Sequence, residues 1–373
     1  MSWALALACV LALGCADEPA PLDETLAQRD GETLWYDGSL LTREGQGWGE
    51  GLAAPYDRLP ERAQAEVREA VWGLSRHSAG LLLRFESDAS ELRARWTLTS
   101  SSLEMDHMPR TGVSGLDLYV RAESGEWRWL GLGRVRGLRN EARLTHGLPE
   151  GRREYLLYLP LYNGVATLAV GVPAGAQLWP AAERPAERSA PVVFYGTSIT
   201  QGACASRPGT CHVARLGRRL DRPVINLGFS GNGRMEVELA PFLGELNAAV
   251  YVLDCLPNLR GEQVRERTPA LVRALRARRP ETPIVLVEDR TYGDAHLVGS
   301  SAAANAANRA ALRAAYEELL AEGVQGLSYV EGDTLLELGG DDTVDGSHPN
   351  DLGFLRHADA LEPVLRAALG DAR

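Results

Sequence analysis

The polarity pattern of this chain changes rhythm once, near residue 190, and that change restricts the fold more than any other feature. From 33 to 178 the apolar segments are short and alternate in polarity: LLLRFES (81–87), ELRARWTLTS (91–100), LDLYVRA (116–122), EWRWLGLG (126–133), REYLLYLPL (153–161) and ATLAVGV (166–172). Gly, Asn, Asp and Pro separate them, the pattern of an antiparallel β-sandwich, jelly-roll-like. From 191 onward the runs VVFYG (192–196), PVINLG (223–228), AAVYVLD (248–254), PIVLVED (283–289) and LSYVEG (327–332) are too continuously apolar for half-exposed strands. They suit a parallel sheet buried on both faces. Helical patterns at 209–220, 235–246, 261–279, 302–323 and 351–369 fall between and after them. The expected fold is a three-layer, doubly wound α/β domain (191–373) preceded by the β-sandwich (33–178), with the polar, Pro-containing stretch 179–190 as connector. With 373 residues, each domain has enough chain for its own core.

Ligands of such sheets gather beyond the carboxyl ends of the strands. Ser198 stands at one of those ends, in VVFYGTSITQG (192–202). A phosphate cradle would need Gly-x4-Gly-Lys-[Ser/Thr], whereas GTSITQG has five residues between its glycines and no lysine. GFSGNG (228–233) lacks the glycine order of a dinucleotide fingerprint, and Thr200 stands where a Gly-x-Ser-x-Gly elbow requires glycine. A turn serine and a nucleophile are left.

DGSHPND (345–351) shifts the balance toward the nucleophile. Asp345 and His348 are three apart, so in a helical turn the carboxylate reaches one imidazole nitrogen and leaves the other for Ser198. A serine hydroxyl is a poor nucleophile until a base takes its proton, and a neutral imidazole held in one tautomer does that. A Ca²⁺ loop of Asp341, Asp342 and Asp345 competes, but the ligand spacing of an EF-hand is missing. Acyl transfer also needs donors for an oxyanion. Besides the Ser198 N–H, two candidates follow the next two strands: Gly231 in NLGFSGNG, whose N–H no side chain obstructs, and Asn258 in LDCLPNL, whose amide donates.

These blocks resemble the SGNH (GDSL-type) hydrolase family. Ser198 matches its nucleophile, Gly231 and Asn258 its oxyanion donors, and Asp345 and His348 its Asp-x-x-His pair; Thr197 replaces the aspartate of Gly-Asp-Ser. SGLDLYV (114–120) resembles the Gly-x-Asp-Leu-Tyr segment of a β-sandwich found ahead of one SGNH subgroup. SITQGACASRPG (198–209) resembles that subgroup's serine block, which usually lacks these cysteines. The resemblance spans about residues 33–369. It implies a serine esterase needing no metal and no cofactor, with carbohydrate deacetylation prominent among exported members.

The run WALALACVLALGC (3–15) is too short to span a bilayer and suits a signal-peptide core. Ending at Gly14-Cys15 ahead of polar ADEPAPLDET, it resembles a bacterial lipoprotein signal with Cys15 lipidated, and 16–32 reads as a polar tether. Export to the periplasm or cell surface is expected, with a lipid anchor at Cys15 as the only tie to a membrane. In an oxidising compartment Cys204 and Cys211, seven apart, are placed for a local disulfide. Cys255 reads as a small core residue. The net charge of −11 repels a phosphate backbone, and the Arg-rich LVRALRARRP (271–280) reads as one amphipathic helix, so nucleic acid is not expected as a partner.

His107, in MDHMPRTG (105–112), reads either as a satisfied structural histidine or as part of a loop over the active site. Arg207 either binds a substrate oxygen or pairs with a carboxylate. Trp127 and Trp129 share a strand face suited to core or to sugar stacking, and Trp179 anchors the connector. The expected function is an exported serine esterase acting on a small-molecule or glycan ester, acetyl esters of carbohydrate foremost. Short-chain or lipid esters, and a non-catalytic carbohydrate-binding lipoprotein on the same scaffold, are the alternatives.

Overall fold

The computed structural model describes residues 19–337 and 339–371. The expected signal peptide and Cys15 lie outside them.

In the second half, alternate residues of the strand Val192–Gly196 face different cores. Val193 and Tyr195 pack with Leu227, Leu253 and Leu286 on one side; Val192 and Phe194 pack with Val224, Val252 and Val285 on the other. Every residue of this strand is buried, which is why its sequence carries no polar alternation. The helices Gly261–Arg278 and Gly299–Ala321 cover the first face through Val264, Leu271, Leu275, Leu312 and Leu319. His212–Arg219 and Asp351–Leu369 cover the second through Val213, Leu216, Phe354 and Leu361. Each buried leucine contributes roughly 1.5–3 kcal/mol.

The parallel strands lie in the order Val224–Gly228, Val192–Gly196, Val250–Asp254, Ile284–Val287, Leu327–Val330. Chain order therefore reverses between the first and third strands, and a crevice opens at their carboxyl ends. Ser198 and Asn258 follow the two strands that border it, and Gly231 follows the neighbouring edge strand Val224–Gly228.

The first half is a sandwich of two antiparallel sheets. Glu91–Leu98 turns Leu92, Ala94, Trp96 and Leu98 inward, and is flanked by Val165–Pro173 and Arg139–His146. Arg139–His146 buries only Asn140 and Leu144, too little apolar surface to mark it in the sequence. The other sheet carries Leu82–Ser87, Arg153–Tyr158, Leu116–Arg121 and Trp127–Gly133.

Two boundaries differ from the sequence reading. The expected tether joins the sandwich: Gln28–Asp30 pairs with Thr33–Asp37, the Leu22 N–H donates to Leu178 O at 2.8 Å, and Leu22 and Ala27 pack on the core. The connector begins later than expected, because Trp179 lies in the strand Leu178–Pro180, buried, with the Arg152 guanidinium 4.5 Å from its ring centroid.

The halves share a core. Leu82, Tyr119, Leu156, Tyr158 and Leu161 of the sandwich pack in one cluster with Val192, Phe194, Val213 and Leu216. Among the described residues no helix is long and apolar enough to cross a membrane.

Candidate active site

Thr197 ends the first parallel strand in extended backbone, and its hydroxyl accepts the Ile199 N–H at 3.2 Å. Ser198 is thereby the first residue of a short helix, Ser198–Gln201, where a backbone N–H has no intrahelical acceptor. Its side chain sits in a tight setting, the residue being 7% exposed.

The Ser198 Oγ lies 2.9 Å from His348 Nε2. On the other side of the ring, His348 Nδ1 lies 2.7 Å from Asp345 Oδ2. The three-residue spacing acts here through a bend rather than a helical turn: Asp345 Oδ1 accepts the N–H groups of Ser347 and His348 at 3.0 and 2.7 Å. Burial works to raise the Asp345 pKa, but the backbone and ring donors of His348 and the Ser347 N–H outweigh it and hold the carboxyl below its ordinary value. A charged Asp345 keeps the Nδ1 proton in place and leaves Nε2 free to take the serine proton.

Gly231 has φ +68°, a conformation that favours glycine, and its N–H meets no acceptor among the described residues. Two residues on, a Cβ at Gly233 would lie 1.7 Å from Gly196 O, so only glycine lets this loop pass against the end of the serine strand. Asn258 Nδ2 donates to Gly233 O at 3.1 Å, which leaves its second N–H for a ligand. Gly231 and Asn258 line an open groove of 990 Å³ together with Arg234, Arg260, Gln263 and Tyr292.

The remaining candidates separate. His107 is exposed, and its ring centroid is 6.0 Å from that of His348, so the sandwich loop that carries it does lean over the site. Arg207 is not aimed at the serine: its guanidinium pairs with Asp117 at 2.9 Å and with the Tyr119 hydroxyl at 2.7 Å, the carboxylate alternative. Trp129 is half exposed, and its indole N–H donates to the same Asp117; Trp127 is partly buried under Arg121. Cys204 and Cys211 are free thiols, contrary to the expected disulfide. Cys211 donates to Pro208 O and packs into the shared core, while Cys204 sits toward Asp345 and Tyr162. Asp342 pairs with Arg356 and Asp345 with His348, so two of the three carboxylates of the supposed Ca²⁺ loop are turned to other partners.

Residues 189–366 match the GDSL-like lipase/acylhydrolase family, and residues 33–178 match the N-terminus of SGNH-hydrolase-type esterases. A GDSL-like lipase from Bacteroides ovatus is 31% identical over 91% of this chain and 98% of its own, with a TM-score of 0.85. The chain belongs to the GDSL-like lipase/acylhydrolase family. Its fold is also that of the salicylyl-acyltransferase SsfX3 from a tetracycline biosynthetic pathway (21% identity, 92% and 100% of the two chains, TM-score 0.71). A family two carbohydrate esterase from Clostridium thermocellum shares the fold as well (15%, 79% and 94%, TM-score 0.57). No curated protein matches it.

In this GDSL-like esterase, Gln201, His77 and Arg58 hold the serine helix and the strand beside it, and carry no signal in the sequence. Gln201 Nε2 lies 3.0 Å from both His77 Nδ1 and Leu161 O, and its Oε1 accepts the Ser230 N–H at 3.0 Å. One side chain thus joins the sandwich, the serine helix and the Gly231 loop. Buried Arg58 donates to Asn226 O and Gly228 O at 3.0 and 2.7 Å, fixing the end of the second parallel strand. These contacts join segments far apart in the chain, and no local pattern announces them.

Proposed function

We propose that this esterase is exported and removes small acyl groups, acetyl foremost, from carbohydrate by an acyl-enzyme mechanism. The observation that carries the reading is the relay Ser198 Oγ, His348, Asp345; the oxyanion candidates Gly231 and Asn258 line an open groove. His348 Nε2 takes the serine proton as Oγ attacks the ester carbonyl, and returns it to the departing alcohol. The N–H groups of Ser198 and Gly231 and the Asn258 amide hold the oxyanion. Water, activated by the same imidazole, then releases the acid.

A wide groove that meets the site at Gly231 and Asn258 and is lined further by Arg234, Gln263 and Tyr292 suits a bulky hydroxylated alcohol better than a long acyl chain. The likeness in fold to an esterase whose structure holds cellohexaose accords with this. Support for export comes from the apolar run 3–15 and for an anchor from Cys15.

Comparing acetyl, butyryl and octanoyl p-nitrophenyl esters, then measuring acetate freed from acetylated xylan or xyloglucan, tests the substrate. Preference for acetyl with acetate release is expected. Preference for octanoyl with no acetate release would make the enzyme lipase-like.

A further inference from the structure

Behind the serine helix, two histidines are buried without a hydrogen bond. His212 is 0% and His357 1% exposed, and all four of their ring nitrogens lack a hydrogen-bond partner among the described residues. A buried polar atom left unmet is costly, and four in one place ask for a ligand. The two rings are neighbours, their centroids 4.6 Å apart. Beside them, at the end of the strand Val250–Asp254, is Asp254, 2% exposed, whose Oδ2 is 3.9 Å from His357 Nε2. One donor atom from each of the three residues falls within 4.8 Å of the others.

We propose that His212, Asp254 and His357 form a buried divalent-metal site, with Zn²⁺ the ion its donors fit. Two imidazoles and one carboxylate make a borderline-soft set that suits zinc and leaves a fourth position for water. Tetrahedral zinc at its usual bond lengths spaces its ligand atoms about 3.4 Å apart, so separations of 3.9 Å and up to 4.8 Å need to close by about 0.5 to 1.4 Å. The surroundings enclose the site. Phe194 and Phe354 pack on the His212 ring at 6.0 and 5.7 Å between centroids, and Thr200 Oγ1 donates to Asp254 Oδ2 at 3.0 Å, orienting the carboxylate. The positive charge of nearby Arg290 is balanced by its ion pair with Asp289.

The three ligands come from the start of the helix His212–Arg219, the last residue of the strand Val250–Asp254 and the middle of Asp351–Leu369. The ion would therefore tie the central strand to both helices of one layer and, through Thr200, to the helix that begins with Ser198. It takes no part in the ester chemistry, so this site stands or falls apart from the proposed reaction.

The test is the metal content and thermal unfolding of the full chain, refolded with ZnCl₂ and desalted. Wild type and His348→Ala should hold about one zinc per chain, and His212→Gln and His357→Gln well under half of that. Zinc should raise the melting temperature of wild type and leave those two variants unmoved. If either variant fails to fold, Co²⁺-loaded wild type supplies the reading: visible bands of a four- or five-coordinate ion support the site, and the weak spectrum of the hexaaqua ion overturns it. Less than about a tenth of an equivalent in wild type, or zinc retained in both glutamine variants, also overturns it.

Discussion

Asp117 holds Arg207 across the junction of the two halves of the chain, carboxylate to guanidinium, at 2.9 Å. Asp117 belongs to the strand Leu116–Arg121 of the sandwich and is fully buried, while Arg207 lies nine residues beyond Ser198. The same carboxylate accepts the Gly209 N–H at 2.8 Å and the Trp129 indole N–H at 2.9 Å. Burial raises the Asp117 pKa above its ordinary value, and the Arg207 charge and the Gly209 N–H counter only part of that. The aspartate of the Gly-x-Asp-Leu-Tyr segment thus fastens the loop after the nucleophile to the sandwich.

Asp117→Ala should accordingly destabilise the chain by about 3–5 kcal/mol, since it leaves the Arg207 charge and a buried N–H without their partner. Urea denaturation reads this directly. An unchanged midpoint would mean that the loop is held by packing alone.

Asn258→Ala should lower kcat by roughly 10²–10³ with little change in KM, because the amide meets the oxygen that becomes charged only in the transition state. Steady-state kinetics on p-nitrophenyl acetate checks it. An effect confined to KM would place Asn258 among ground-state contacts instead.

Acid should loosen the support of the serine helix. Burial, with a further contribution from the Arg58 guanidinium, pushes His77 down to about 4, below the ordinary histidine value of 6.5. Between those two values the unfolded chain binds a proton that the folded chain refuses, so this contribution to stability is complete above pH 6.5 and is lost as the pH falls toward 4. Melting temperature against pH should therefore fall less steeply in His77→Gln than in wild type over that window. Parallel curves would contradict the assignment.

The chemistry of the site was more legible than its supports. The positions of the parallel strands follow from unbroken apolar runs, since a strand buried on both faces has no room for alternation, whereas their order in the sheet is set by contacts that no run displays. Ser198, Asp345 and His348 could be paired because Asp345 and His348 lie close in sequence and the doubly wound fold brings strand ends together. The roles of Gln201, Arg58 and Asp117 could not be read, because each rests on contacts between segments distant in the chain. Arg139–His146 escaped notice for a different reason: a strand that buries two residues carries almost no periodic signal. For Cys204 and Cys211, spacing says nothing about where the side chains point, and here both are thiols.

Those thiols give a direct check. Alkylation of the denatured, non-reduced chain should modify Cys204, Cys211 and Cys255 alike, whereas the native chain should react slowly because all three are buried. Reductant should leave the melting temperature unchanged. A Cys204–Cys211 linked peptide in the non-reduced digest would contradict the structure at this loop.

The central claim is that Ser198 is the nucleophile of an ester hydrolase, and the turnover of p-nitrophenyl acetate by Ser198→Ala tests it most directly. With folding verified by circular dichroism, kcat should fall by roughly 10³ or more relative to wild type, and His348→Ala should fall to a similar level because the two groups act as a unit. Turnover by Ser198→Ala equal to that of wild type would contradict it.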